Sequence, residues 1–207
     1  MMKKIFLGAL VLLLGASQAG AYATDTSDPA TIIKDVTSHI LNVLEGRREE
    51  FTENPELLRD IVRDDLMPLI DLDYSARLIL GKSGRGVSPE QLSEFSAAMS
   101  NLLINRYADG LLQFRSDNQL EVLPLKGKNT EKLTRVRTRL KLASGSYAPI
   151  DYAFHKTDEG WKAFDVTVEG ISYVITFRNQ IAPRVQADGI EKVTADIVAG
   201  NVSLNEQ

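Results

Sequence analysis

The stretch that decides the fold is WKAFDVTVEGISYVITFR, residues 161–178, in which an alternating strand passes through one glycine into an amphipathic helix. Phe164, Val166 and Val168 recur at every second position, which predicts that they share one face of a strand. After Gly170 the apolar positions 171, 174, 175 and 177 recur at helical spacing instead. A strand and a helix that meet at such a corner predict an apolar concavity, and the stretch lacks the convergent polar groups that a catalytic centre needs.

Three more strands are predicted upstream of this stretch. The four strands together span about 120–125, 132–142, 148–156 and 161–168. Along the second strand Val136, Thr138 and Leu140 alternate with basic residues, and positions 150, 152 and 154 of the third strand are similarly apolar. Because successive side chains of a strand point to opposite faces, the pattern predicts an antiparallel sheet with one apolar face.

The opposite face of the second strand is basic. Its cations are Arg135, Arg137, Arg139 and Lys141. This placement indicates a solvated strand face, and a docking patch for an acidic partner protein or for lipid phosphates is the alternative. The whole chain carries 28 acidic and 24 basic residues and a net charge of −4, which argues against nucleic acid as a partner.

The first half of the chain carries helix signals. Asp28-Pro29 and Asn54-Pro55 each combine a capping residue with a proline at the first helical position. The second helix should break near Met67-Pro68, because proline removes a backbone donor and clashes with the preceding turn. A third helix is predicted from about Asp71 to Gly81.

The longest predicted helix begins at the capping box Ser88-Pro89-Glu90-Gln91 and extends to Phe114. A further helix is predicted from Ile171, with a kink at Pro183. The predicted fold class is therefore α+β, with a helical N-terminal half, a curved four-stranded antiparallel sheet and C-terminal helices that enclose an apolar cavity.

Residues 1–23 have the layout of a cleavable secretory signal, with Lys3 and Lys4, an apolar run over 5–14 and small residues up to Ala21 or Ala23, either of which could precede the cut. The apolar run is shorter than the roughly 20 residues that span a bilayer. A membrane anchor or a buried helix is the alternative. The remaining residues, 24–207, are predicted to form a single domain, and the chain has no cysteine for a disulfide or for lipid attachment.

Candidate catalytic and metal-binding residues do not form a site in the sequence. His39 and His155 lie far apart, and the aspartates between positions 60 and 73 lack the spacing of a calcium loop. Asp165 and Glu169 would lie roughly 13 Å apart along a strand, too far for coupled acid and base work, so structural roles are expected for both. The sequence therefore predicts no enzyme activity, no metal and no cofactor.

Two motifs resemble a known family. Phe164-Asp165-Val166, followed by Val168-Glu169-Gly170-Ile171-Ser172, is similar to the strand-to-helix signature of the toluene-tolerance family of periplasmic phospholipid-binding proteins. Asn54 to Val62, Met67-Pro68 and Tyr74 to Gly81 match a second block of that family in the right order. The resemblance spans nearly the whole chain after the predicted leader.

The resemblance implies a periplasmic phospholipid carrier with residues 24–207 as its lipid-binding domain. It implies a shuttle between an outer-membrane lipoprotein and porin complex and an inner-membrane ATP-driven lipid transporter, which maintains outer-membrane lipid asymmetry. Acyl chains are then expected between the sheet and the helices that carry Tyr107 and Ile171. The predicted lipid contacts are Tyr107, Leu111, Val136, Thr138, Tyr152, Phe154, Val166, Val168, Tyr173 and Phe177. Arg106 and Arg178 are the predicted headgroup contacts.

Two other classes of function stay open at this point. A periplasmic chaperone or adaptor would bury its apolar helix face in a partner protein and would show an exposed apolar patch. A small-molecule enzyme on a cone-shaped α+β scaffold would need a buried acid or base inside its pocket.

Overall fold

The computed structural model describes residues 24–113, 120–124, 126, 129–142 and 144–204. The predicted leader, residues 1–23, and the predicted helix end at Phe114 lie outside the described residues. Within them the chain forms six α-helices and one antiparallel sheet of five strands, which confirms the α+β class.

The helices follow the start signals in the sequence. They are α1 (Pro29–Glu53), α2 (Pro55–Ile61), α3 (Leu72–Leu80), α4 (Pro89–Tyr107), α5 (Tyr173–Asp188) and α6 (Ile190–Val198). The Asp28 side chain accepts a hydrogen bond of 2.8 Å from the Thr31 N–H, and Ser88 and Gln91 form the predicted capping box. Asp71 caps α3 in the same way through the Tyr74 N–H.

Two helices end as irregular turns. After α2 the chain forms a short π-helix over Val62–Leu66 and a short 3-10 helix over Met67–Leu69, and the helical path ends there, near the predicted break at the proline. The predicted length of the long helix, which was expected to reach Phe114, is wrong. α4 ends at Tyr107, and a 3-10 turn covers Ala108–Gln113. Gly110 lies in that turn, and glycine is among the weakest helix formers.

The sheet places its strands in chain order. They are β1 (Leu120–Val122), β2 (Leu133–Lys141), β3 (Tyr147–Thr157), β4 (Gly160–Val168) and β5 (Ile171–Ser172). Val136 of β2 lies opposite Tyr152 of β3, which in turn lies opposite Val166 of β4. The next row is formed by Thr138, Ile150 and Val168. We call the face that carries these two rows, with Leu140 and Phe154, the inner sheet face; the register confirms that the predicted apolar residues share it.

The fifth strand corrects the predicted count of four. Glu169 and Gly170 both have positive φ, 51° and 86°, so they form a tight two-residue turn between β4 and β5. Ile171 and Ser172 then pair with Val168 and Thr167 before the helix begins at Tyr173. The prediction that the helix starts at Ile171 is therefore wrong by two residues.

Phe164 does not share a face with Val166, contrary to the prediction. The register between β3 and β4 shifts between Ala153 and Phe154, so that Phe164 becomes the extra residue of a β-bulge. Its ring lies edge-on to Tyr74 of α3 and to His155. Phe164 is thus turned to the outer sheet face, the opposite side of the sheet from Val166.

Helices cover both sides of the sheet. On the inner sheet face α1 packs Ile32 and Ile33 against Val136, Phe154 and Trp161. On the outer side α3 contacts β4, because the Ser75 hydroxyl donates to the Phe164 carbonyl. The N-cap residue of α3, Asp71, pairs with His155 of β3 at 2.9 Å. The helices α3, α4, α5 and α6 share a second core of their own.

Asp165 holds the corner between β4 and α5. Its carboxylate accepts hydrogen bonds from the Ser172 hydroxyl at 2.6 Å and from the Val174 N–H at 3.0 Å. These bonds satisfy a donor at the first turn of α5, and so they fix the helix direction against the strand. This geometry confirms the structural role expected for Asp165.

Candidate functional site

The six predicted sheet residues come together on the inner sheet face. Val136, Thr138 and Phe154 are buried, with exposed fractions of 2 %, 0 % and 0 %. Tyr152, Val166 and Val168 are half-buried, as is their neighbour Ile150. The inner sheet face is therefore sealed near Phe154 and less tightly covered towards Val168.

The inner sheet face is covered unevenly because α1 packs over only part of it. Ile32 and Ile33 of α1 form one apolar cluster with Val136, Phe154 and Trp161, and Tyr152 packs at its margin. Val166 and Val168 belong to none of the apolar clusters among the described residues. The strand positions that α1 does not cover are thus the ones nearest to the β4–β5 turn.

The apolar interior continues away from the sheet through three half-buried side chains. Val36 packs both against the α1–sheet cluster and against a second cluster around Leu44 and Phe51. Leu66 and Leu111 connect that second cluster to a third around Ile104. Apolar clusters of a folded chain usually join into one contiguous core. Here the clusters are joined through half-buried residues, and such incomplete packing between them is compatible with a ligand-binding region.

The predicted helical contacts divide between two places. Leu111 lies among the clusters below α1, as described above. Tyr107, Tyr173 and Phe177 form an aromatic row between α4 and α5, with ring centroids 5.9 Å and 5.6 Å apart. Phe177 is buried in the core of the four helices, whereas Tyr107 and Tyr173 pack at its margin.

The two arginines predicted as headgroup contacts differ in their surroundings. Arg106 is exposed at the end of α4, where its Nε donates to the Tyr107 hydroxyl at 3.3 Å. Arg178 is half-buried, and its Nε donates to the Leu78 carbonyl at 2.6 Å, near the C-terminal end of α3. Arg106 lies at the aromatic row, and Arg178 ties α5 to α3.

The sequence analysis did not identify the α1 side of this region. Ile32, Ile33 and Val36 face the sheet, and Leu69 from the 3-10 turn packs beside them. The signal was present as the apolar stripe of α1, but a stripe alone does not show which face of the sheet a helix covers.

The inner sheet face has few polar groups. The Thr138 hydroxyl donates to the Ile150 carbonyl at 2.7 Å and is thereby satisfied. Burial raises the pKa of the Tyr152 hydroxyl to about 12, because desolvation disfavours the phenolate. On β2, β3 and β4 the described residues of this face include no carboxylate or histidine, and their one cation is Lys156, which is exposed near the end of β3 with its Nζ 5.3 Å from the centre of the Trp161 ring.

The acidic residues lie elsewhere. A cleft of about 570 Å³ between α3, α4 and the β3–β4 turn is lined by Asp71, Asp73, Asp158 and Glu159, among others, and by none of the predicted lipid contacts. Within the described ranges, no group of three or more potential ligands could hold a metal ion. His39 and His155 instead form pairs with Asp65 and Asp71.

This geometry defines a class of α+β binding protein, in which helices partly cover the apolar face of an antiparallel sheet. The comparisons with known proteins agree with this class. The sequence model of the MlaC protein family matches residues 34–199, and the chain therefore belongs to the MlaC family.

Two relatives match over most of their length. The chain is 27% identical over 201 residues to the toluene tolerance protein Ttg2D of Pseudomonas putida, covering 96% of this chain and 91% of the relative. It is 26% identical over 168 residues to the intermembrane phospholipid transport system binding protein MlaC of Haemophilus influenzae, covering 79% of this chain and 77% of the relative.

A solved structure shares the fold. The phospholipid-binding protein from Ralstonia solanacearum, determined in complex with a phospholipid, superposes with a TM-score of 0.71 at 21% identity. The match covers 83% of this chain and 99% of that one. In the described part of this chain, none of the helices has the length and apolar character needed to cross a membrane.

Proposed function

We propose that this protein is a periplasmic phospholipid carrier. It holds acyl chains against the part of its inner sheet face that α1 leaves uncovered, near the β4–β5 turn. The observation that carries the proposal is the half-buried apolar group of Ile150, Val168, Tyr152 and Val166, which lies beside the buried residues Val136 and Phe154 on the same sheet face. Membership of the MlaC family supports it, as do the phospholipid-related names of one relative and of the structural neighbour.

The physical reason for such a site is the insolubility of lipid tails. Each methylene group withdrawn from water contributes about 0.8 kcal/mol, so one long acyl chain contributes on the order of 12 kcal/mol. A lipid can cross an aqueous compartment only if a carrier keeps its tails dry. Because membrane and carrier are both apolar, transfer between them can be close to balanced, and the carrier itself needs no catalytic group.

The acyl chains would lie beyond the part of the sheet that α1 covers. One wall would be Tyr152, Val166 and Val168, with Val136 and Thr138 behind them. The opposite wall would come from Leu111 and from Tyr173, which follows β5 directly. Phe154 and Phe177 are buried in the clusters on either side and would shape this region from behind.

The headgroup would remain beside the aromatic row between α4 and α5, where Arg106 is exposed next to Tyr107. Arg178 stays a predicted headgroup contact, although its Nε already donates a hydrogen bond to the Leu78 carbonyl. An exported carrier of this kind would exchange lipid with an outer-membrane lipoprotein and porin complex and with an inner-membrane ATP-driven transporter, and residues 1–23 would direct its export.

An enzyme on the same scaffold would need an acid or a base on the inner sheet face. The described residues of β2, β3 and β4 contribute Thr134, Thr138 and Tyr152 there, together with Lys156, which is exposed near the end of β3 and lies over the Trp161 ring. The Thr138 hydroxyl donates its hydrogen bond to the Ile150 carbonyl. Burial raises the pKa of the Tyr152 hydroxyl above that of free tyrosine. This composition favours binding over catalysis.

Two substitutions one residue apart test the proposal. Val166→Gln places an amide on the inner sheet face, whereas Thr167→Gln places the same side chain on the outer face, where Thr167 lies opposite Asp151. An amide without a partner against acyl chains costs about 1–3 kcal/mol, so Val166→Gln should reduce bound phospholipid about tenfold. Native mass spectrometry of the purified proteins measures the bound fraction, and thermal unfolding checks that both variants fold.

The expected result is lipid on the wild type and on the Thr167 variant, with little on the folded Val166 variant. A wild-type protein that carries no phospholipid and accepts none from vesicles would contradict the proposed function. Equal loss in both folded variants would contradict the placement of the acyl chains on the inner sheet face.

A further inference from the structure

Tyr152 has a central position on the inner sheet face. It lies on β3, between Val136 of β2 and Val166 of β4, and all three side chains point to the same side. α1 packs on one side of it, and the half-buried pair Ile150 and Val168 lies on the other. A ligand that rests on Val166 and Val168 would therefore reach the Tyr152 ring.

The Tyr152 hydroxyl forms no hydrogen bond with another residue that the structure describes. Its oxygen is not one of the fully buried side-chain atoms that lack a partner, so it keeps access to solvent. The hydroxyl of Thr138, two positions away in the neighbouring strand, donates instead to the Ile150 carbonyl. A ligand that covers this hydroxyl removes its contact with solvent, and a buried hydroxyl without a partner is unfavourable. A ligand that also supplies an acceptor would therefore bind here more favourably than one that does not.

The surroundings restrict what that acceptor can be. Desolvation raises the pKa of the Tyr152 hydroxyl to about 12, so the group is a protonated donor at neutral pH. An anionic phosphate would also need a cation nearby. Among the described residues of β2, β3 and β4 the cation of the inner sheet face is Lys156, which lies four positions along β3 from Tyr152 and over the Trp161 ring. An uncharged acceptor within an otherwise apolar molecule fits better, and the ester carbonyl at the head of an acyl chain has this character.

We propose that the Tyr152 hydroxyl donates a hydrogen bond to the acyl ester carbonyl of the bound lipid, and so makes this protein selective for ester-linked over ether-linked lipids. This inference rests on the proposed function, because it assigns one contact within the same site. An ether oxygen is a weaker acceptor than an ester carbonyl, so ether-linked tails would forfeit this hydrogen bond while keeping the apolar contacts.

A competition between two lipids tests the selectivity. Delipidated protein is mixed with equal amounts of dipalmitoyl phosphatidylethanolamine and its dihexadecyl ether analogue, and native mass spectrometry measures the ratio of the two complexes. The variants are Tyr152→Phe and, as a matched control in the same strand, Tyr147→Phe. Tyr147 is 43 % exposed and packs under Arg139, away from the inner sheet face.

The wild type and the Tyr147 variant should favour the ester lipid about fivefold, the effect of one net hydrogen bond. The Tyr152 variant should bind both lipids without preference. Equal binding of the two lipids by the wild type, or an ester preference that survives in the Tyr152 variant, would overturn the inference while leaving lipid carriage intact. If neither lipid binds to any of the proteins, the proposed function itself fails and the inference fails with it.

Discussion

The acid–base behaviour of Tyr152 can be tested without any lipid. Desolvation raises the pKa of its hydroxyl from 10.0 to about 12. Because the unfolded chain loses this proton first, the contribution of Tyr152 to stability is complete below about pH 10 and decreases as the pH rises towards 12. The phenolate absorbance of the wild type should therefore show a late-titrating component.

Tyr152→Phe should remove that late component, and Tyr147→Phe should leave it in place. Ultraviolet difference spectra against pH measure both, with circular dichroism as a check that the protein is still folded at each point. A titration curve whose high-pH end is the same in the wild type and the Tyr152 variant would show that the hydroxyl is not desolvated.

At the scale of single residues, the sequence could predict which side chains share the inner sheet face. The alternation of Val136, Thr138 and Leu140 depends only on the local period of a strand, and the register confirms it. Phe164 could not be placed, because the β-bulge depends on how β3 pairs with β4 and on the ring contact with Tyr74. Such contacts join residues that are distant in the sequence.

At the scale of elements, the β4–β5 turn should be sensitive to its glycine. Gly170 has φ 86°, which is unfavourable for β-branched residues. Gly170→Val should lower the free energy of unfolding by about 1–2 kcal/mol, because the valine must adopt this conformation or the turn must rearrange. Urea unfolding followed by circular dichroism measures the change.

Glu169→Gly is the matched control in the same turn. Glu169 has φ 51° with an exposed side chain, so glycine can adopt its conformation without strain. The control should unfold at the same urea concentration as the wild type or at a higher one. A Gly170→Val variant as stable as the wild type would mean that the two-residue turn does not define the strand-to-helix corner.

Helix starts were predictable because they depend on neighbouring residues. Asp28, Asp71 and Ser88 cap their helices through side-chain bonds to backbone N–H groups three positions on. The short strand β5 was not predictable, since two residues carry no periodic signal and only pairing with β4 defines them. The end of α4 at Tyr107 was missed because the apolar stripe continues through Leu111 into the 3-10 turn.

At the scale of the whole molecule, composition and pattern predicted the α+β class but not which helix covers which face. α1 and α4 both carry apolar stripes, yet α1 packs on the inner sheet face and much of α4 packs with α3 and α6. The predicted site was therefore assembled only in part. Its sheet residues lie together, whereas Phe177 belongs to the core of the four helices.

The central claim is that acyl chains lie against the inner sheet face beyond α1, and a crystal structure of the protein with dipalmitoyl phosphatidylethanolamine tests it most directly. We expect continuous tail density in contact with Tyr152, Val166 and Val168, with the headgroup outside, towards Arg106. Tail density at another surface, or side chains of the protein packed directly onto Val166 and Val168 in the lipid-bound crystal, would contradict the claim.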